Sequence, residues 1–111
     1  MTVLVAGGDR TQLRCLIGQD GYWVEATTLQ PAQERHDLAI LTAFLAEQSL
    51  TWADIDQFGL IEVPHSHTSV RVVRALLTTA AWYSGHPLVS LPSPELATLT
   101  SSEIQAQLKQ P

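Results

Sequence analysis

The chain has 111 residues but only one cysteine, Cys15, and only six basic side chains. A single thiol excludes an intramolecular disulfide and any zinc or iron–sulfur site built on several cysteines. That cysteine usage fits a reducing, cytoplasmic setting. The six Lys and Arg residues form no run and the net charge is −5, so no direct nucleic-acid binding is expected, since that needs clustered basic residues. No apolar run approaches the roughly 18 residues of a membrane span, and no membrane partner is expected. The stretch Met1–Arg10 lacks a basic region followed by a long apolar one and does not read as a signal peptide. What is present is a core: hydrophobic residues make up 45% of the chain, which argues against global disorder. The length suits one compact domain and not two.

Thr2 to Gly7 is a short apolar run and reads as a strand buried on both faces. Gly7-Gly8-Asp9-Arg10 is a turn signal. Residues 11 to 17 favour a second strand, with Leu13, Cys15 and Ile17 on one face. Asp20-Gly21 is a hairpin cue, and residues 22 to 28 form a third strand rich in aromatic and β-branched types. From Glu34 to Gln48 the period becomes helical: Leu38, Leu41 and Leu45 recur at i, i+3 and i+7, beside Ile40 and Phe44. Thr51 and Asp54 fit a capping box over a short turn, Trp52 to Ile55. A fourth strand, 58 to 63, ends at Pro64. Ser66 or Thr68 caps a helix running to about Tyr83. Gly85 and Pro87 stop it, and a fifth strand follows at 88 to 91. The expected organisation is one domain, 1–92, and a C-terminal tail, 93–111, with one short weak helix capped by Ser101 or Ser102.

The connection between Val63 and Val70 lies between a strand end and a helix N-terminus, where α/β proteins place phosphate sites. Here it has no glycine and carries His65 and His67. These two, with His36 or His86 as a third ligand, are the candidate metal set. Ser66 beside a histidine lacks a nucleophile elbow and an orienting acid, so helix capping is the reading for it. Arg71 and Arg74 are read as exposed partners for acids such as Glu34 or Glu47. No catalytic residue, cofactor-binding residue or metal ligand is therefore assigned.

The order βββαβαβ is that of a ribonuclease H-like, actin-like ATPase domain: α/β, with a mixed five-stranded sheet and helices packed on it. Three blocks resemble the N-terminal domain of the TsaB (YeaZ) family. They are Val3-Leu4-Val5-Ala6-Gly7-Gly8, then Ser49-Leu50-Thr51-Trp52-Ala53-Asp54-Ile55-Asp56 following a helix from His36 to Leu45, and Val63-Pro64-His65-Ser66-His67-Thr68-Ser69-Val70-Arg71. The resemblance covers roughly Val3 to Leu91. It implies an accessory role in tRNA threonylcarbamoyladenosine modification and pairing, with itself or with the related catalytic subunit TsaD. Two departures are specific. Gly7 stands where the superfamily has a carboxylate that organises metal and phosphate. Val63, His65 and Ser69 stand where the family has loop glycines that let backbone approach phosphate. Both imply a non-catalytic, cofactor-free homologue.

The helix beyond the loop carries two apolar stripes. At about 100° per residue, Val70, Val73, Leu77 and Ala81 share one, and Val72, Leu76, Thr79 and Tyr83 form another, roughly opposite. A helix lying on one sheet needs a single apolar stripe. The expected partner interface is accordingly Leu38, Leu41, Leu45, Val72, Leu76, Thr79 and Tyr83, covered by a second copy or a TsaD-like subunit. The alternative is that the terminal helix covers the second stripe. Alternative functions are a metal- or ligand-binding protein using the His65/His67 loop, and a domain with residual nucleotide binding.

Overall fold

The computed structural model describes residues 1–64 and 68–108, with side chains described outside 65–70 and 109–111. Its first strand, β1 (Thr2–Gly8), is followed by β2 (Gln12–Gln19) and β3 (Tyr22–Leu29) in an antiparallel meander. Asp20 and Gly21 take φ of 48° and 81°. Positive φ at both central residues is the type I′ turn, whose twist matches that of the strands, and the Asp-Gly pair tolerates it. A short 3-10 turn (Ala32–Glu34) then leads into helix α1 (Asp37–Glu47). The single helical stretch expected over 34–48 is thus broken at Arg35-His36, where the buried Arg35 turns inward. After α1 come β4 (Gln57–Glu62), α2 (Thr68–Ser84), β5 (Leu88–Pro92) and α3 (Ser101–Leu108). The sheet order is β3-β2-β1-β4-β5, with β1, β4 and β5 mutually parallel. The expected mixed five-stranded sheet is what forms.

Alternation along the strands divides the core in two. Leu4, Ala6, Leu13, Cys15, Ile17, Phe58 and Leu60 face α1 and α2 and pack against Leu41, Leu45, Val73 and Leu77. Val3, Val5, Leu16, Ile61 and Leu91 face the other way, against Leu96, Leu99, Ile104 and Leu108. The segment read as a weak tail is therefore the second covering layer of the sheet, on the side away from α1 and α2. It reaches that face because the strands are thin there. A Cβ at Gly7 would lie 2.7 Å from Leu96 Cδ1, and one at Gly59 would lie 3.5 Å from Leu108 Cδ2. The layer is also fastened. Arg14, 6% exposed, donates from Nη1 to the carbonyls of Leu96 and Leu99 and from Nε to Glu25 at 3.0 Å. The helix cap is Thr100, not Ser101 or Ser102: Thr100 and Glu103 exchange backbone and side-chain bonds, both at 3.1 Å. The exposed Glu103 carboxyl is held below its ordinary pKa by the Thr100 N–H and hydroxyl.

Local signals place the other elements. The Thr51/Asp54 capping box closes a 3-10 turn at Trp52–Asp54, and Gly85, φ 75°, ends α2 with His86 N–H reaching the Ala81 carbonyl. Helix α1 ends the same way but with Ser49 at φ 60° in the left-handed position, and Leu50 N–H bonds the Leu45 carbonyl at 2.9 Å. Ser49 gives no sequence signal for such a stop.

Candidate functional site

Two regions answer to the sequence reading: the carboxyl end of β1, where α/β sheets bind ligands at a topological switch point, and the outer surface of α1 and α2. At the first, both faces of the strand are filled by the chain itself. On the α3 side, a side chain at Gly7 would meet Ile61 Cβ and Leu96 Cδ1, each at 2.7 Å. On the α2 side, a Cβ at Gly8 would lie 2.9 Å from Arg35 Nη2 and 3.0 Å from Val73 Cγ2. Arg35 is fixed by a buried ion pair, Nε to Asp37 Oδ1 at 2.7 Å, and by the carbonyls of Asp9 and Gln30. Asp9 stands beside this strand end, but its Oδ1 already accepts bonds from Thr11 N, Thr11 Oγ1 and Gln12 N. A hollow of about 410 Å³ remains outside, lined by Arg10, Val63, Pro94 and Glu95 among others. Leu96 lines it too, and among the described residues no buried side-chain polar atom is left without a partner to direct a phosphate.

The candidate metal pair His65 and His67, the capping candidate Ser66 and the stripe residue Val70 lie outside the residues whose side chains are described. Of the other two histidines, His36 is exposed at the start of α1 and His86 is half-buried beyond α2. No group of three metal-ligating side chains occurs among the described residues. Arg74 pairs with neither Glu34 nor Glu47. It holds Glu62 Oε1, with Nη2 at 2.8 Å, because Glu62 ends the strand on which α2 lies. Glu62 Oε2 accepts from Ser90 Oγ at 2.6 Å. The Ser90 hydroxyl, and with it the hydrogen bond and charge of the Arg74 guanidinium, hold this carboxyl below its ordinary pKa against the opposing effect of burial. Cys15 is buried beneath α1 and its thiol is pushed up to about 12 by burial, with Glu25 and Glu47 adding to the effect; it is no nucleophile at neutral pH.

The helix surface is different in kind. Val73 and Leu77 are fully buried against the sheet and Ala81 nearly so. The second stripe is centred about 130° round from them, at about 100° per residue, and so runs along the outer flank of α2. Val72 is 43% and Tyr83 86% exposed, while Leu76 is half-buried. Across from them Leu38 is 54% exposed. Between the two walls runs an apolar groove of about 960 Å³, floored by Ala80 and Trp52 and rimmed by His86. Of the seven residues expected at an interface, Leu38, Val72, Leu76, Thr79 and Tyr83 line this groove. Leu41 and Leu45 do not: both are 0% exposed, because the stripe's i+3 and i+7 members turn under the helix onto the sheet, whereas Leu38 sits at its open edge. Trp52 was missed as a groove residue. Its indole is stacked on Phe58 at 6.5 Å and donates to Thr42 Oγ1 at 3.0 Å, so part of the groove floor is a rigid aromatic ring supplied by the short turn after Thr51.

This sheet order, with two helices on one face and one on the other, is a ribonuclease H-like fold. Among solved structures, the chain is similar to YeaZ from Pseudomonas aeruginosa, with a TM-score of 0.78 and 17% identity over 96% of this chain and 51% of that one. It is also similar to an uncharacterized protein described as having similarity to peptidase YeaZ from Pseudomonas aeruginosa, with a TM-score of 0.75 and 17% identity over 97% of this chain and 49% of that one. RuvC of T. thermophilus, solved with a Holliday junction substrate, gives 0.54 and 14% identity over 98% of this chain and 70% of that one. The fold is thus YeaZ-like, and the chain spans about half the length of the YeaZ structures it resembles. The sequence matches no protein-family model and no curated protein. No helix among the described residues is long and apolar enough to cross a membrane.

Proposed function

We infer that this chain is a non-catalytic, TsaB-like interaction module of the kind that assists tRNA threonylcarbamoyladenosine modification. It pairs through the α1/α2 groove with a second copy of itself or with a TsaD-like catalytic subunit. The observation that carries this reading is the uncovered apolar groove, with Leu38, Val72 and Tyr83 each more than 40% exposed around a rigid Trp52. Contiguous apolar surface of this kind on a small domain marks an interaction site, and an aromatic anchor beside a pocket is the usual centre of one. The non-catalytic part rests on Gly7, which carries no carboxylate, and on Leu96, which fills the space one would need. Both support a scaffold in preference to an ATPase.

Light scattering tests the reading. Self-association, or a complex with a TsaD-like subunit, should weaken at least tenfold in Leu76→Glu and in Tyr83→Glu, since each puts a charge into a desolvated contact. An association unchanged in both variants, or none with either partner, overturns it.

A further inference from the structure

We propose that β3 is a second, separate docking edge, and that its occupant is β3 of another copy, joining two sheets into one of ten strands. The hydrogen-bond phase of the meander sets the geometry. Ala26 turns its carbonyl toward Cys15 on β2, and Gln30 N–H bonds the Thr11 carbonyl at 3.0 Å. The even-numbered residues of β3 therefore spend their backbone groups on β2, and by alternation Trp23, Glu25, Thr27 and Leu29 aim theirs outward. β3 lies at the end of the sheet, so these groups face away from the protein.

Edge strands are ordinarily guarded by proline, lysine, a bulge or an inward charge. β3 has none of these. Its eight residues contain no proline or lysine, and its register with β2 is unbroken from Tyr22 to Leu29. Its one charge, Glu25, is matched by Arg14 of the same chain at 3.0 Å. The opposite edge, β5, has five residues, ends in Pro92 and follows Pro87.

The occupant follows from register. Two antiparallel copies pair their outward residues with one another, so opposed residue numbers are both odd. Pairing Glu25 with Glu25 sets like charges together, and pairing Thr27 with Thr27 brings in Pro31 opposite Trp23. Centring the two-fold on Ala26 avoids both. It sets Glu25 against Thr27 and Trp23 against Leu29, with small Ala26 facing itself, and it makes about eight backbone bonds. It also covers Leu29, which is 81% exposed, with the indole of Trp23, which lies over Gly18 on the same face. Aromatic–aliphatic cross-strand pairs of this kind stabilise a sheet, and the isologous arrangement closes on itself.

The test is residue-resolved amide exchange of the full chain across a concentration series, with light scattering alongside. The N–H groups of Trp23, Glu25 and Thr27 should gain at least tenfold protection as concentration rises, and that gain should persist in Tyr83→Glu. Thr27→Pro removes an outward N–H that β2 does not use, and it should abolish the gain at Trp23 and Glu25; Leu29→Glu does the same without touching the backbone. Rapid exchange of these amides at every concentration, or protection that survives both variants, overturns the proposal. The helix-groove reading fails separately: association lost in Tyr83→Glu but retained in Thr27→Pro belongs to the groove, and the reverse belongs to the edge.

Discussion

Single side chains decide whether the carboxyl end of β1 can stay open to a ligand. Gly7 leaves the strand without a carboxylate, and adding one would not create a site, since any Cβ there lies 2.7 Å from Ile61 Cβ and Leu96 Cδ1. Gly7→Asp should therefore destabilise the fold by about 2–4 kcal/mol, an overpacking cost plus a buried charge, and should confer no thermal shift with magnesium and ATP. Chemical denaturation and a ligand thermal-shift series check the two halves. Arg14 acts by fastening. Its guanidinium joins β2, β3 and the segment leading to α3. Arg14→Met removes the partner of two carbonyls and strands Glu25, so a loss of about 2–4 kcal/mol is expected by urea denaturation, with the largest rise in amide exchange in α3. Glu62 gives a pH signature. Its folded-state pKa is depressed, so its stabilisation is complete above the ordinary glutamate value near 4.5 and fades as pH falls through the lower folded value. The groups are partly exposed, so the size is under about 1 kcal/mol. Glu62→Gln should flatten the stability curve below about pH 4.5 and leave its shape above that unchanged.

At the scale of elements, legibility followed the range of the cause. The β2–β3 hairpin, the Thr51 capping box and the Gly85 stop are decided within a few residues, and the sequence shows all three. The double apolar character of α2 was also legible, because periodicity alone reveals it. Which members face the sheet was not. Leu38, Leu41 and Leu45 are equivalent in a helical-wheel argument, yet only the last two reach the core; the difference comes from where α1 crosses the sheet. The role of α3 was hidden for the same reason. Ile104 and Leu108 make a weak helix in isolation, and what fixes it is an arginine on β2, 82 residues from Leu96 and 85 from Leu99. Nothing in a linear scan marks Arg35 and Asp37, two positions apart, as a buried ion pair. Ser49 in a left-handed stop departs from the glycine preference on which stop signals depend.

For the whole molecule, the two proposed contacts use different sides of one domain. The groove is apolar and lies over α1 and α2, and the β3 edge is a backbone surface at the far end of the sheet. A chain that uses both would grow beyond a dimer at high concentration. The single variants Tyr83→Glu and Thr27→Pro should then each reduce the mass to a different dimer.

The position of β1 has a consequence for how the chain acquires its structure. It is the central strand of the sheet. Its antiparallel neighbour follows at once, but its parallel neighbour arrives more than fifty residues later, when Val3 aligns with Gln57. Closing so long a loop costs entropy before any contact rewards it. The hairpins therefore form early and the β1–β4 zipper sets the rate. In that interval a strand that is buried from Val3 to Gly8 in the fold has a bare side, so refolding chains are most prone to aggregate before β4 docks.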